Sequence, residues 1–336
     1  MAFLHRHWDV LWWLHSAWAL LVGCGVMWLG ARHHGLLRLA ILQLIFVWVA
    51  ALIVPALAVR AAASSRWVER GRLVINYFSK NFYQQILFFL LPLYYRSATG
   101  WSWNLLFVAF LAFSALLSTL DVVYDRHLSV KRSLMAVFFA FNLFACLNVM
   151  LPTIWSLSNA LSMRASAVLA VVAFMSILAG RRAFTWPNGW VLVGLTAVAL
   201  VVTVEFARPL IPPAPLRLVN PAFGLTVNRR EANVSNTVDH LDSGWTGTLY
   251  AVTPVYAPMG LEDRIAHRWY IDGRLAWASK FYQVQGGRAE GYRLWTGLPL
   301  DGSSAGTIRV DVVTEAGQLV GRCRLAIEPV PQARAF

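Results

Sequence analysis

The hydrophobic positions of this chain fall into two regimes that change near residue 208. Upstream, apolar residues run in long blocks broken by short basic segments. Downstream, they alternate with polar residues. A bilayer-spanning helix needs about 20 mostly apolar residues, because each adds about 1.5 Å of rise through roughly 30 Å of hydrocarbon. On that rule the first regime predicts seven spans, at residues 8–29, 36–59, 74–95, 101–120, 133–155, 165–180 and 190–206. Residues 65–85 mix Trp67, Val68, Leu73, Tyr77 and Phe78 with Arg and Lys at near-helical spacing. That is the pattern of an interfacial helix leading into the third span. Trp and Tyr gather at span ends (Trp8, Trp12, Trp13, Tyr94, Tyr95, Trp101, Trp103, Trp155, Trp190), the depth that amphipathic rings prefer.

The regimes are joined by a Pro-rich linker at residues 208–215, which cannot continue a helix and favours an extended chain. Beyond it the period is two. Ile308, Val310 and Val312 alternate with Arg309 and Asp311. Leu319, Cys323, Leu325 and Ile327 share one face, with Arg322, Arg324 and Glu328 on the other. Further strands are predicted at residues 248–255, 265–271, 275–284 and 291–298. Asp272-Gly273, Gly286-Gly287, Asp301-Gly302 and Ala316-Gly317 mark the turns. The expected fold class is therefore a membrane all-α bundle of about seven transmembrane helices followed by an all-β, immunoglobulin-like sandwich over residues 216–330. Residues 220–244 are less regular, a long loop or an extra edge strand. Cys323, His267 and Trp269 are expected in the core.

Composition agrees with a chain mostly out of water: 58% hydrophobic and 13% charged, against about 45–50% and about 25% for soluble domains. Residues 1–208 hold 16 Lys/Arg and 5 Asp/Glu, and the rest 13 and 11, so the basic surplus belongs to the apolar part. A nucleic-acid surface needs its basic residues on a solvated domain, so no nucleic acid is expected as a partner. With seven spans, eleven Lys/Arg flank one side and five the other. The positive-inside rule then puts the N-terminus in the cytoplasm and the C-terminal domain outside it.

Chemistry-bearing patterns are sparse. No HExxH, GxSxG, P-loop or dinucleotide fingerprint is present, so no catalytic residue, metal site or cofactor is assigned. His240 beside Asp239 and Asp242 is a single histidine, short of a metal-ligand set. Within the spans the polar candidates are His15, Gln43, Asn142 and Asn148, the last two read as bonding a neighbouring helix. In the tail, Arg268 and Tyr270 share one strand face and Lys280 and Tyr282 another. Arg293 and Trp295 on a further strand complete a candidate basic–aromatic ligand surface, suited to a sugar, a lipid head group or an acidic glycan.

The run from His267 to Arg274, the run Gly291-Tyr292-Arg293-Leu294-Trp295-Thr296 and the closing hairpin over residues 306–327 resemble the bacterial domain of unknown function 2914. The apolar region ahead resembles, in layout, an uncharacterised bacterial polytopic membrane protein family that carries this domain at its C-terminus. The resemblance implies an envelope location and points to no known reaction. The expected function is a non-catalytic inner-membrane protein whose periplasmic sandwich binds an envelope partner, protein or glycan. The alternative is a membrane enzyme or transporter acting on a lipid-linked or envelope substrate. It predicts a polar cavity near His15, Gln43, Asn142 or Asn148.

Overall fold

The structure is a computed structural model and describes residues 8–30, 42–43, 45–46, 49, 66–120, 124, 131–179, 188–302 and 306–329. Six helices are defined among them: α1 (Trp8–Gly30), α2 (Arg66–Ser97), α3 (Leu105–Thr119), α4 (Arg132–Trp155), α5 (Asn159–Ala179) and α6 (Gly189–Phe206). The chain divides into two compact units. One comprises Met1–Tyr95, Leu106–Met150 and Ala160–Ala207. The other comprises Arg96–Leu105, Leu151–Asn159 and Arg208–Phe336.

The expectation of seven transmembrane helices is overturned. Only α4, α5 and α6 are long and apolar enough to cross a membrane, judged by length and composition among the described residues. The reasons are physical. α3 has 15 residues, about 22 Å of rise, too short for roughly 30 Å of hydrocarbon. α2 begins at Arg66 and carries Glu69, Arg70, Arg72 and Lys80 in its first half, so its apolar part is residues 86–95 alone. The apolar helical stretch of α1 among the described residues is Ser16–Trp28. The span expected at residues 36–59 lies largely outside the described residues, as do residues 180–187.

In the helical unit, Tyr83, Leu87, Leu90 and Tyr94 recur at helical spacing on α2 and are all buried. Tyr83 meets Phe138 and Phe139 of α4 at ring-centroid distances of 5.3 and 6.0 Å. Tyr94 meets Phe107 of α3 at 4.8 Å. α5 and α6 share a small cluster of Val171, Met175, Val193 and Ala197. α6 otherwise exposes an apolar surface, with Trp190, Val191, Leu192, Leu195, Val198 and Val202 uncovered.

Among its described residues the second unit holds eleven strands: β1 (Arg217–Leu218), β2 (Ala222–Asn228), β3 (Asn233–Val238), β4 (His240–Asp242), β5 (Thr246–Tyr256), β6 (Arg264–Ile271), β7 (Arg274–Ala278), β8 (Tyr282–Gln283), β9 (Tyr292–Asp301), β10 (Gly306–Thr314) and β11 (Leu319–Glu328). β9 pairs one edge of β5. β1 and then β2 pair the other, and β3 follows β2. The second sheet has the order β4-β11-β10-β6, with β7 and β8 both on β6. Phe223, Leu249, Ala251 and Leu298 of the first sheet share one core with Trp269, Ile308, Val310, Cys323 and Leu325 of the second. This is a sandwich, but not the immunoglobulin arrangement of four strands against three. Its sheets have five and six strands, and β4 runs parallel to β11. Residues 220–244, expected as loop or one edge strand, form β2, β3 and β4. The strand expected at residues 275–284 is two, β7 and β8.

The segments Arg96–Leu105 and Leu151–Asn159 belong with the sandwich, and specific bonds hold them there. Asn104 Nδ2 donates to the Leu319 carbonyl at 3.3 Å. The Asn159 backbone N–H reaches both oxygens of Asp263 at 3.2 Å, and its Nδ2 donates to Oδ2 at 2.6 Å. In the linker, Arg208 Nη1 donates to the Ala316 carbonyl and Gln318 Nε2 to that of Ile211, both at 3.1 Å.

Candidate functional site

Three polar constellations in the sandwich have enough geometry for their chemistry to be judged. The first is sealed. His267 on β6 is fully buried, with Nε2 2.6 Å from Thr253 Oγ1 and Nδ1 2.6 Å from Thr296 Oγ1. Trp269 Nε1 donates to the same Thr296 oxygen at 2.8 Å, and Thr253 Oγ1 faces the Leu294 carbonyl at 3.5 Å. Only the tautomer with the proton on Nε2 satisfies every group: Trp269 to Thr296, Thr296 to Nδ1, Nε2–H to Thr253, Thr253 to Leu294. Burial pushes the imidazole pKa down to about 3, so the ring is neutral. The network pins one sheet to the other and has no solvent-facing atom on which to do chemistry.

The second is the Asp263 carboxylate on Asn159. Burial raises its pKa to about 6, against the lowering effect of the Asn159 hydrogen bonds, with Glu315 adding a smaller raising effect.

The third constellation faces outward. Trp269, Val310 and Cys323 point into the core, so the alternate positions on β6, β10 and β11 point out. They form two rows in register, Arg268–Asp311–Arg322 and Tyr270–Arg309–Arg324. Asp311 is buried and accepts a two-pronged bond from Arg322, 2.6 Å from Nε and 2.8 Å from Nη2. That hydrogen bond raises the Arg322 pKa further. Arg309 Nε is 3.4 Å from Asp311, and its guanidinium lies over the Tyr270 ring at 4.0 Å. Arg324 also lines a cleft of about 290 Å³ with Asp239 and Phe223.

The six sequence-predicted ligand residues do not form one site. Arg268 and Tyr270 stand on this outer face. Tyr282 is paired with the buried Ile265 and packs toward the core, with Lys280 Nζ 5.4 Å over its ring. Arg293 and Trp295 belong to β9 in the other sheet. The Trp295 ring lies tilted against that of Tyr250, 6.3 Å between centroids. Arg293 bonds the Glu231 carbonyl at 3.0 Å and Glu290 at 2.8 Å beside a cleft of about 460 Å³ with Arg230 and Arg288. Arg309 and Asp311 were missing from the predicted set, although the alternation over residues 308–312 already points them outward.

Of the intramembrane candidates, Asn142 donates to the Phe138 carbonyl of its own helix at 2.7 Å rather than to a neighbour. Asn148 does reach a neighbour, the Tyr94 hydroxyl of α2, at 3.2 Å. Gln43 donates to Gln85 at 2.7 Å. The side chain of His15 lies outside the described residues.

The sequence profile of a family of unknown function, DUF5924, matches residues 2–250. The chain belongs to that family. A second profile, the protein of unknown function DUF2914, matches residues 262–327, as the resemblance of the closing strands implies. In this chain the two matches meet inside the sandwich: β1 to β4 and the first half of β5 lie in the DUF5924 match, and β6 to β10 and most of β11 in the DUF2914 match. No curated protein matches the chain. Among solved structures, the Pseudomonas fluorescens alkylpurine DNA glycosylase AlkC bound to DNA with an abasic site analog aligns at 9% identity. The alignment covers 85% of this chain and 96% of that one with a TM-score of 0.22, too low to carry any argument. The three apolar helices associate the chain with a membrane.

Proposed function

We propose that this DUF5924 protein is a membrane-anchored, non-catalytic binding protein of the bacterial envelope. Its sandwich faces the periplasm from the inner membrane, and its N-terminus is cytoplasmic. One observation carries the binding assignment: the outer face of the six-stranded sheet presents Arg268, Arg309, Arg322 and Arg324 around a single buried acid, Asp311. A sheet face selected for stability alone would alternate signs across strands, and Arg309 directly opposite Arg324 is a destabilising like-charge pair. Rigid central strands also hold such groups better than loops do.

The periplasmic placement is supported by charge. With α4, α5 and α6 as the spans, Arg126, Lys131, Arg132, Arg181 and Arg182 flank one side, and Arg164 and Arg208 the side that continues into the sandwich. Met259 is 78% exposed on the β5–β6 loop and offers a probe. In a Cys24→Ser background, Met259→Cys in intact spheroplasts should react with a membrane-impermeant maleimide. Protection until the cells are lysed would put the sandwich in the cytoplasm and end the envelope assignment. For binding, full-length protein in nanodiscs should retain a component of envelope extracts. The triple variant Arg268→Gln, Arg309→Gln, Arg324→Gln should lose it, and equal retention by both would move the binding role off this face.

A further inference from the structure

Asp263 is a buried acid without a counter-charge. It ends the β5–β6 loop, and its carboxylate is held by one residue, through the backbone N–H and Nδ2 of Asn159. Among the described residues no cation pairs with it. Glu315, on the β10–β11 turn, repels it. The adjacent Arg264 is spent on that same Glu315, with Nη1 3.2 Å from Oε1. Glu262, on its other side, is exposed to water. The Asp263 carbonyl accepts from Val284 just beyond β8, whose one ionisable side chain is Tyr282. The residues from Leu151 to Asn159 carry no ionisable side chain at all. Burial among such neighbours disfavours the charged form of an acid.

Asn159 has the complementary lack. Its Oδ1 is buried and no donor reaches it. An amide oxygen can only accept, and an ionised carboxylate can only accept as well, so neither satisfies the other. A protonated carboxyl group changes that. Its O–H can donate to Oδ1 while Nδ2 keeps donating to the carboxyl, and the acid and the amide then share two bonds. The group that one residue lacks is the group that a proton on the other supplies.

The pair acts on a defined piece of chain. The segment Leu151–Asn159 joins α4 to α5 and belongs with the sandwich. It meets the β5–β6 loop at a second point, three residues from each member of the pair. There a Cβ added at Gly260 would stand 2.6 Å from Ser156 Oγ. A close seat at Gly260 and a polar grip at Asp263 therefore lie side by side on one loop.

We infer that Asp263 and Asn159 form a proton-operated latch: in mild acid the carboxyl takes a proton from water, shares it in a hydrogen bond with the Asn159 amide oxygen, and clamps Leu151–Asn159 to the sandwich more tightly than the carboxylate does.

The direction follows from linkage. In the docked state burial, its largest cause, lifts the carboxyl pKa to about 6 against the pull of the Asn159 bonds, and an undocked carboxyl has the ordinary 3.8. The docked state thus holds the proton more tightly. Docking gains nothing above pH 6, strengthens as pH falls, and is strongest below the ordinary value, by on the order of a hundredfold.

The test uses full-length protein in nanodiscs and hydrogen exchange of the amides at residues 157–159, corrected for the intrinsic pH dependence of exchange. Protection should rise by up to about a hundredfold from about pH 7 to about pH 4, with its midpoint near pH 6. Asp263→Asn carries a donor and an acceptor at every pH, so it should keep the acid level of protection throughout. Glu315→Gln removes a repulsion and should move the midpoint to lower pH. The infrared C=O band of a protonated carboxyl should appear with the same midpoint and be missing in Asp263→Asn. Exchange of the β10 and β11 amides, read in the same samples, reports on the sandwich separately. Protection that ignores pH in the unaltered protein overturns the latch. So does protection that falls on acidification while β10 and β11 hold, which would make the carboxylate the better clamp, and so does a carboxyl band that survives in Asp263→Asn.

Discussion

The helical unit and the sandwich treat buried polar groups in opposite ways. In the helices most are satisfied within one turn of their own chain. Ser118 donates to Ala115, Asn142 to Phe138, Ser166 to Ser162 and Ser176 to Ala173. In the sandwich the partners are remote in sequence: His267 with Thr253 and Thr296, Asp311 with Arg322, Asp263 with Asn159. A helix always offers a carbonyl three or four residues back, whereas a strand commits its carbonyls to the ladder. Buried polar groups therefore cost the helices little in specificity, and in the sandwich they decide which strands meet.

Acid should expose that difference most. His267 is held near pKa 3 against an ordinary 6.5. Its contribution is full above pH 6.5 and is lost as pH falls toward 3, because the unfolded chain takes up the proton first, an effect of roughly 5 kcal/mol. Asp263 has the opposite sign. Its pKa of about 6 lies above the ordinary 3.8, so ionising it costs the fold roughly 3 kcal/mol above pH 6, a cost relieved as pH falls toward 4. The two oppose each other between pH 6 and 4. Hydrogen exchange of β10 and β11 amides should show a shallow loss of protection there, and Asp263→Asn should make it steeper. An unchanged slope would mean that Asp263 does not titrate in that window.

His267→Ala should destabilise the sandwich by about 4 kcal/mol, from the cavity and the orphaned threonine hydroxyls. The buried Cys323 would then react faster with a thiol reagent, while Cys24, already exposed, would not change. Next, Asp311→Ala should cost about 2 kcal/mol by leaving Arg322 and Arg309 without their counter-charge, read by denaturant titration with the same label. Ser166→Ala should cost under about 1 kcal/mol, because the Ser162 carbonyl keeps its helical bond. A larger loss in a thermal melt of the helices would break the contrast between the units. Arg324→Gln is the smallest case. It should stabilise by about 0.5 kcal/mol through relief of the Arg309 pair, visible as a slightly later denaturation midpoint.

The same contrast explains what the sequence revealed. The alternation of apolar and polar positions located β5, β6, β9, β10 and β11 to within a few residues, and it did so even for β10, where residues 310–314 are buried on both faces. It missed β2 to β4, where Asn228, Asn233, Asn236 and three consecutive charges at Arg229, Arg230 and Glu231 hide the period. It placed Arg268 and Tyr270 outward, but not with Arg309 and Arg324, because strand order is not a local property. It set Lys280 beside Tyr282 as outward residues, whereas β8 turns Tyr282 toward the core. For the helices, length of apolar run was a poor guide: α3 is too short and α2 too charged to meet the rule that each seemed to satisfy inside a longer block.

The meeting of two families inside one sandwich bears on how the chain was assembled in evolution. The border near residues 250–262 falls at the end of β5 and is not a folding border. Phe223 and Leu249 on one side close the same core as Trp269, Val310 and Leu325 on the other. A recombination that delivered the downstream segment alone would deliver half a sandwich with an open hydrophobic face. Such a segment is inheritable only beside some other stretch of chain that supplies the missing sheet. In this chain the upstream strands are therefore the covering without which the downstream segment leaves its core open to water.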